Sequence, residues 1–218
     1  MVTSRQLQPD TWFINDTFEF VGPSIDLTMR PGDFPFEQIE RKPLIYISLG
    51  TINNRRDDFY RRCFEAFGDQ PGQFILSVGQ QTDITQLGII PANFIVRNSV
   101  PQLAILQQAD LFITHAGMNS LQEALYYGVP LVMIPQQIEQ LFNARIIERQ
   151  GAGVILGNSF TFGQATPRQL HAAVDMVLNN PRFRQAAQEN SRTLQGSGGY
   201  VKAVDAILNL MMRDLQPA

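Results

Sequence analysis

The chain has 218 residues and 44% hydrophobic content, enough to bury one substantial core near the upper end of an ordinary single domain. A net charge of -3, with arginine pairs only at Arg55-Arg56 and Arg61-Arg62, excludes the basic footprint of a nucleic-acid binder. One cysteine, Cys63, rules out an internal disulfide; no apolar stretch reaches the roughly 20 residues of a membrane span, and the polar start lacks a signal-peptide layout, so the chain reads as soluble and cytoplasmic.

Residues 1–43 are cut by Pro23, Pro31, Gly32, Pro35 and Pro43 and offer only short extended candidates, at Trp12 to Ile14 and Phe18 to Val21. They are expected to form a lead-in or linker, with one domain over residues 44–218. From Pro43 on, short apolar runs alternate with longer amphipathic ones, the pattern of βαβ units. Strands are expected at 44–49, 73–78, 93–96, 109–114, 131–134 and 153–156. Helices fall between them at about 57–67, 101–107, 118–127 and 138–150. Three more follow at about 166–179, 181–194 and 200–214, the first with Thr166 as cap and Pro167 in its opening turn. The fold class is α/β, a doubly wound, Rossmann-like parallel sheet of order 3-2-1-4-5-6 with extra C-terminal helices. Its ligands bind at the carboxyl ends of the first and fourth strands, where the order reverses.

Two loops meet at that switch point: Gly50-Thr51-Ile52-Asn53-Asn54 and His115-Ala116-Gly117. The second leads into a helix starting near Met118, whose free N–H groups and dipole favour phosphate. His115 is placed to give such an anion a hydrogen bond or a positive charge, Gly117 to let the backbone approach, and Asn119 and Ser120 to add neutral donors. Asn and Ser also serve as plain helix caps. Glu123 lies on the Asn119 side of the helix, roughly 6 Å further along the axis, where a carboxylate can accept both hydroxyls of a ribose. Leu121, Ala124 and Leu125 face the core, and Gly128 with Pro130 ends the helix. Glu139-Gln140, after the fifth strand, suits sugar hydroxyls, and the backbone of Ser99-Val100-Pro101-Gln102 suits the edge of a base. Nothing here matches a P-loop, a G-x-G-x-x-G turn or metal-ligand spacing. His171, on a late helix, is expected at the surface.

Val100-Pro101-Gln102, His115-Ala116-Gly117-Met118-Asn119-Ser120, Glu123-Ala124-Leu125, Gly128-Val129-Pro130, Pro135 and Glu139-Gln140 together resemble the donor signature of GT-B glycosyltransferases. The group is glycosyltransferase family 1, which includes plant and animal UDP-glycosyltransferases and bacterial macrolide glycosyltransferases. The resemblance covers 44 to about 212 and is densest over 100–151. It implies that Gln102 and the Val100 backbone meet uracil, that His115, Gly117, Asn119 and Ser120 hold the diphosphate, and that Thr51 sits beside it. It also implies that Glu123 binds ribose and that Glu139 and Gln140 hold the transferred sugar. Many relatives carry a tryptophan that stacks on uracil where this chain has Ser99.

The resemblance further implies an amino-terminal acceptor domain with a histidine general base, which has no counterpart here; Phe20-Val21-Gly22-Pro23 resembles the linker that follows it. The expected function is therefore the donor-binding half of an inverting UDP-hexosyltransferase, with UDP-glucose as the first candidate donor and a small-molecule or lipid hydroxyl as acceptor. It would need no cofactor or metal and would be inactive alone. Two alternatives stay open: a natural UDP-sugar-binding subunit with a separate acceptor-domain partner, or a UDP-sugar 2-epimerase or lipid-linked glucosaminyltransferase of similar fold.

Overall fold

A computed structural model describes residues 3–8, 14–26, 34–39, 43–52, 54–157 and 164–214. Six strands, β1 (Leu44–Ser48), β2 (Gln73–Ser77), β3 (Phe94–Arg97), β4 (Leu111–Thr114), β5 (Leu131–Met133) and β6 (Gly153–Ile155), form one parallel sheet. Their order is β3-β2-β1-β4-β5-β6, the doubly wound arrangement expected from the sequence. Alternation along the central strands explains their unbroken apolar runs. Ile45, Ile47, Leu111 and Ile113 enter one core, while Leu44, Tyr46 and Phe112 enter the other.

The first core is covered by α1 (Asp57–Phe67) and α5 (Pro167–Asn179). There Phe67, Phe74 and Phe94 stack at centroid separations of 4.7 and 4.9 Å. Cys63 is buried packing in this layer. The second core is covered by α2 (Gln102–Leu106), α3 (Met118–Tyr126), α4 (Ile138–Arg149) and α6 (Pro181–Gln195). Leu121, Ala124 and Leu125 point into it, as their spacing on α3 requires. Thr166 and Gln169 form a reciprocal capping box ahead of Pro167, and Gly128, at φ +67°, closes α3.

Some local features depart from the sequence reading. The strand expected over 109–114 begins at Leu111, one residue past Asp110, whose N–H donates to the Leu44 carbonyl at 2.8 Å. Its Oδ2 accepts from the Leu44 N–H at 2.8 Å and its Oδ1 from Arg184 at 3.1 Å. Arg184, on α6, also donates to the Gly128 carbonyl at 3.2 Å, so one side chain ties α6 to the ends of β4 and β5. A 3-10 turn at Ile84–Leu87, which apolar periodicity does not reveal, is capped by Asp83.

The described parts of the lead-in lie on the domain. Leu7, 1% exposed, enters the second core, and Gln150 and Asn190 bond to Gln6. Phe18 to Val21 forms no strand; the Val21 carbonyl instead accepts from the Gly199 N–H. Trp12 and Phe13 fall outside the described residues. The last helix, α7 (Gly199–Asp214), leaves Val204, Ile207, Leu208, Leu210 and Met211 exposed. Among the described residues no helix is long and apolar enough to cross a membrane.

Candidate functional site

β1 and β4 are neighbours in the sheet, so the loops that follow them meet at its carboxyl end. The contact is intimate. A Cβ on Gly50 would stand 2.6 Å from His115 Cε1, and one on Gly117 would stand 2.5 Å from Nε2. The imidazole thus occupies a slot that two glycines leave open, with Gly50 at φ +81°. Asn54 holds the loop by donating to the Gly50 carbonyl at 2.9 Å. Asn53 lies outside the described residues, and Thr51 is exposed beside Gly50.

Ala116 is buried at φ +65°, a left-handed conformation that costs a side-chain-bearing residue about 1–2 kcal/mol. Both sides of its backbone are held: its N–H donates to Thr114 Oγ1 at 3.4 Å, and its carbonyl accepts from Asn143 Nδ2 at 3.4 Å. The forced turn sets Gly117 as the N-cap of α3. Gly117 has no capping side chain, so the first N–H groups of the helix are left for a ligand.

Burial pushes the His115 imidazole below its ordinary pKa, and the Glu139 carboxylate pushes back more weakly. The ring is therefore neutral near pH 7 in the empty site. Thr114 Oγ1 stands 3.5 Å from Nδ1.

Asn119 is exposed at the tip of α3, while Ser120 and Glu123 are half-buried on the face toward α2. Gln102 Nε2 donates to Glu123 Oε2 at 2.5 Å and reaches Ser120 Oγ at 3.5 Å. The Tyr46 hydroxyl, rising from β1, donates to Gln102 Oε1 at 2.9 Å. Burial raises the Glu123 carboxyl above the usual range, and the bond from Gln102 opposes that shift. The Gln102 side chain thus faces the Glu123 carboxylate. Val100, half-buried, packs on the second core, and exposed Ser99 brings no ring.

On α4, exposed Glu139 accepts from Asn143 Nδ2 at 2.5 Å. Gln140 is buried, and its Oε1 accepts from the Gln136 N–H at 2.8 Å, which leaves its amide NH2 for a ligand. Arg56 donates twice to Gln136 Oε1, at 3.1 and 3.2 Å, joining the loop after β1 to the loop after β5. Tyr46, Thr114, Gln136 and Asn143 were not singled out from sequence. Only Asn143 had a usable signal, its place four residues beyond Glu139 on one helix.

No group of three or more His, Cys, Asp or Glu side chains is placed to hold a metal ion among the described residues. An open cavity of about 1060 Å³ lies between the starts of α1 and α5, with Arg55, Arg56, Arg62 and Thr166 on its walls. None of the candidate residues lines it.

A parallel 3-2-1-4-5-6 sheet is the α/β architecture of one half of a GT-B fold, and here its carboxyl end carries an uncapped helix tip, a half-buried histidine and a carboxylate on the next turn. The sequence model of the family described as "UDP-glucoronosyl and UDP-glucosyl transferase" matches residues 36–196, and the chain belongs to that family. It is 39% identical over 216 residues to the uncharacterized UDP-glucosyltransferase YojK of Bacillus subtilis, covering 99% of this chain and 52% of that one. It is 34% identical over 205 residues to the oleandomycin glycosyltransferase of Streptomyces antibioticus, covering 93% and 46%. Among solved structures it resembles the calicheamicin glycosyltransferase CalG4, with TM-score 0.84 and 25% identity over 99% of this chain and 54% of that one. The glycotransferase of kitacinnamycin aligns with TM-score 0.83 and 33% identity over 94% and 52%. The chain spans about half the length of these relatives.

Proposed function

We propose that this chain is the donor-binding half of an inverting glycosyltransferase, holding a UDP-hexose, UDP-glucose first, for transfer to a hydroxyl acceptor. Residues 44–218 form the donor domain and 1–43 the lead-in from an acceptor-binding half. The observation that carries the reading is the uncapped start of α3 with His115 slotted between Gly50 and Gly117 beside it. Such a tip meets a diphosphate with backbone N–H groups and an imidazole N–H, with Asn119, Ser120 and Thr51 at hand. Glu123, braced by Gln102, accepts the ribose hydroxyls. Glu139 and the free amide of Gln140 hold the hexose, and the Val100 backbone reads the base.

The reaction is a single displacement. The acceptor oxygen forms a bond to the anomeric carbon as the bond from that carbon to the diphosphate oxygen breaks, its electron pair leaving with UDP. Charge growing on that oxygen is met by His115 and the helix tip, so the step calls for no cofactor or metal. The acceptor's proton goes to a base on the other half, which makes this chain alone a binder with little turnover.

Calorimetric titration of the full chain with UDP, dTDP, UDP-glucose and UDP-N-acetylglucosamine tests the reading. UDP ligands should bind, and His115→Ala or Glu123→Ala should weaken them about 10- to 100-fold. Unchanged affinity in both variants sinks the site assignment. Substantial turnover of UDP-glucose with a simple alcohol sinks the half-enzyme assignment.

A further inference from the structure

We infer that Asn143 is a positioning residue that sets the sugar-facing Glu139 and the phosphate-facing turn at Ala116 as one unit, an inference that rests on the donor-site reading above. The Asn143 side chain is 8% exposed, and its single amide nitrogen makes bonds to two different elements. One goes to Glu139 Oε1 at 2.5 Å on its own helix, the other to the Ala116 carbonyl at 3.4 Å after β4. An amide NH2 carries two hydrogens, so both bonds form at once.

Each bond fixes something that would otherwise drift. Glu139 is exposed, and a free glutamate side chain samples many rotamers. Holding Oε1 leaves Oε2 to accept a sugar hydroxyl from one fixed direction. Ala116 sits in a conformation its side chain disfavours, and its carbonyl bond to Asn143 helps keep it there. His115 precedes Ala116 in the chain and feels the Glu139 charge. An ordinary Glu–Asn pair one helical turn apart needs neither burial nor a second bond to another loop. The effect of Asn143 passes through the two groups its amide holds, Glu139 and Ala116.

The test is a double-mutant cycle on the full chain, read by calorimetry with UDP and with UDP-glucose. Wild-type binding of UDP checks the donor-site reading; the variants check the role of Asn143. Glu139→Ala should lower the ratio of UDP-glucose to UDP affinity about tenfold, and any change in UDP affinity it brings through the charge on His115 is divided out of that ratio. Asn143→Ala should lower that ratio as much and also weaken UDP a few-fold, through Ala116. In the Glu139→Ala background, Asn143→Ala should leave the ratio where it was and still weaken UDP. Asn143→Asp, the same size, guards against a collapsed side-chain cavity and should lower the ratio at least as far, because it sets a second carboxylate against Glu139. An unchanged ratio in both Asn143 variants, or an equal fall in that ratio from Asn143→Ala with and without Glu139, overturns the inference while leaving the UDP site standing. Failure of the wild type to bind UDP overturns both.

Discussion

Gln102 Nε2 stands 2.5 Å from Glu123 Oε2, joining the first residue of α2 to the middle of α3 across the crevice. The carboxylate is half-buried and leans on one amide and, through it, on the Tyr46 hydroxyl. It is therefore held in place before any ribose arrives, at a cost to the empty protein.

That cost is measurable. Burial holds the Glu123 pKa above its usual value, so the folded state binds this proton more readily than the unfolded one. Its contribution to stability is fully present below the unfolded pKa of about 4.3 and is lost as pH rises through the folded pKa. At neutral pH the ionised group opposes folding. Glu123→Gln should melt higher than wild type near pH 7, match it near pH 4, and bind UDP at least tenfold more weakly. Scanning calorimetry at both pH values, with a UDP titration, checks all three.

His115 has the opposite sign. Its folded pKa lies below the ordinary value, so its contribution is present above about pH 6.5 and is lost as pH falls through the folded pKa. Between about pH 7 and 5 the empty wild type should lose more stability than His115→Gln. A bound diphosphate pulls the imidazole pKa upward, so UDP binding near pH 6 should take up protons. The heat of binding then depends on the buffer's own protonation enthalpy in wild type, and a dependence that persists in His115→Gln would exclude His115 as its source.

Gly50→Ala should damage binding without removing any ligand contact. The new methyl collides with the imidazole, and the φ of +81° adds about 1–2 kcal/mol of backbone strain. Gly88 supplies the control, since it has φ +90° and open space where a Cβ would go. Gly88→Ala should lose similar stability and keep UDP affinity, whereas Gly50→Ala should lose tenfold or more in affinity. Equal affinities in the two variants would show that the slot does not matter.

Ser99 is exposed where many relatives place a ring on the base. Stacking of an aromatic side chain on a base contributes about 1–3 kcal/mol. Ser99→Trp should therefore tighten UDP at least about fivefold and leave inorganic diphosphate unaffected. Fluorescence quenching of the new indole by UDP gives an independent readout.

Much of the sheet was legible because its central strands are apolar on both faces and its helices carry their apolar residues at helical spacing, as at Leu121, Ala124 and Leu125. Thr166 and Pro167 announced a helix start through local chemistry alone. Leu7 was not legible: a single leucine in a proline-broken stretch gains its burial from a groove that other elements build. The tie between Asp110 and Arg184, 74 residues away in the chain, carries no local signal either. At the candidate site, the residues proposed to meet a ligand stood out in the sequence by type and spacing. Those that brace them did not, because Tyr46 reads as strand core and the reach of its hydroxyl to Gln102 follows from the packing of α2. Asn143 was the exception that helical spacing alone could have flagged.

The Arg184–Asp110 fastening lies at the end of the strands opposite the crevice. One guanidinium rivets α6, β4 and β5 together there, and Asp110 adds β1 through Leu44. The chassis is closed underneath and the loops above it are left to vary. Substitutions in the loops after β1, β4 and β5 can therefore change what those loops hold without loosening the frame, so the crevice is free to diverge faster than the fold that displays it.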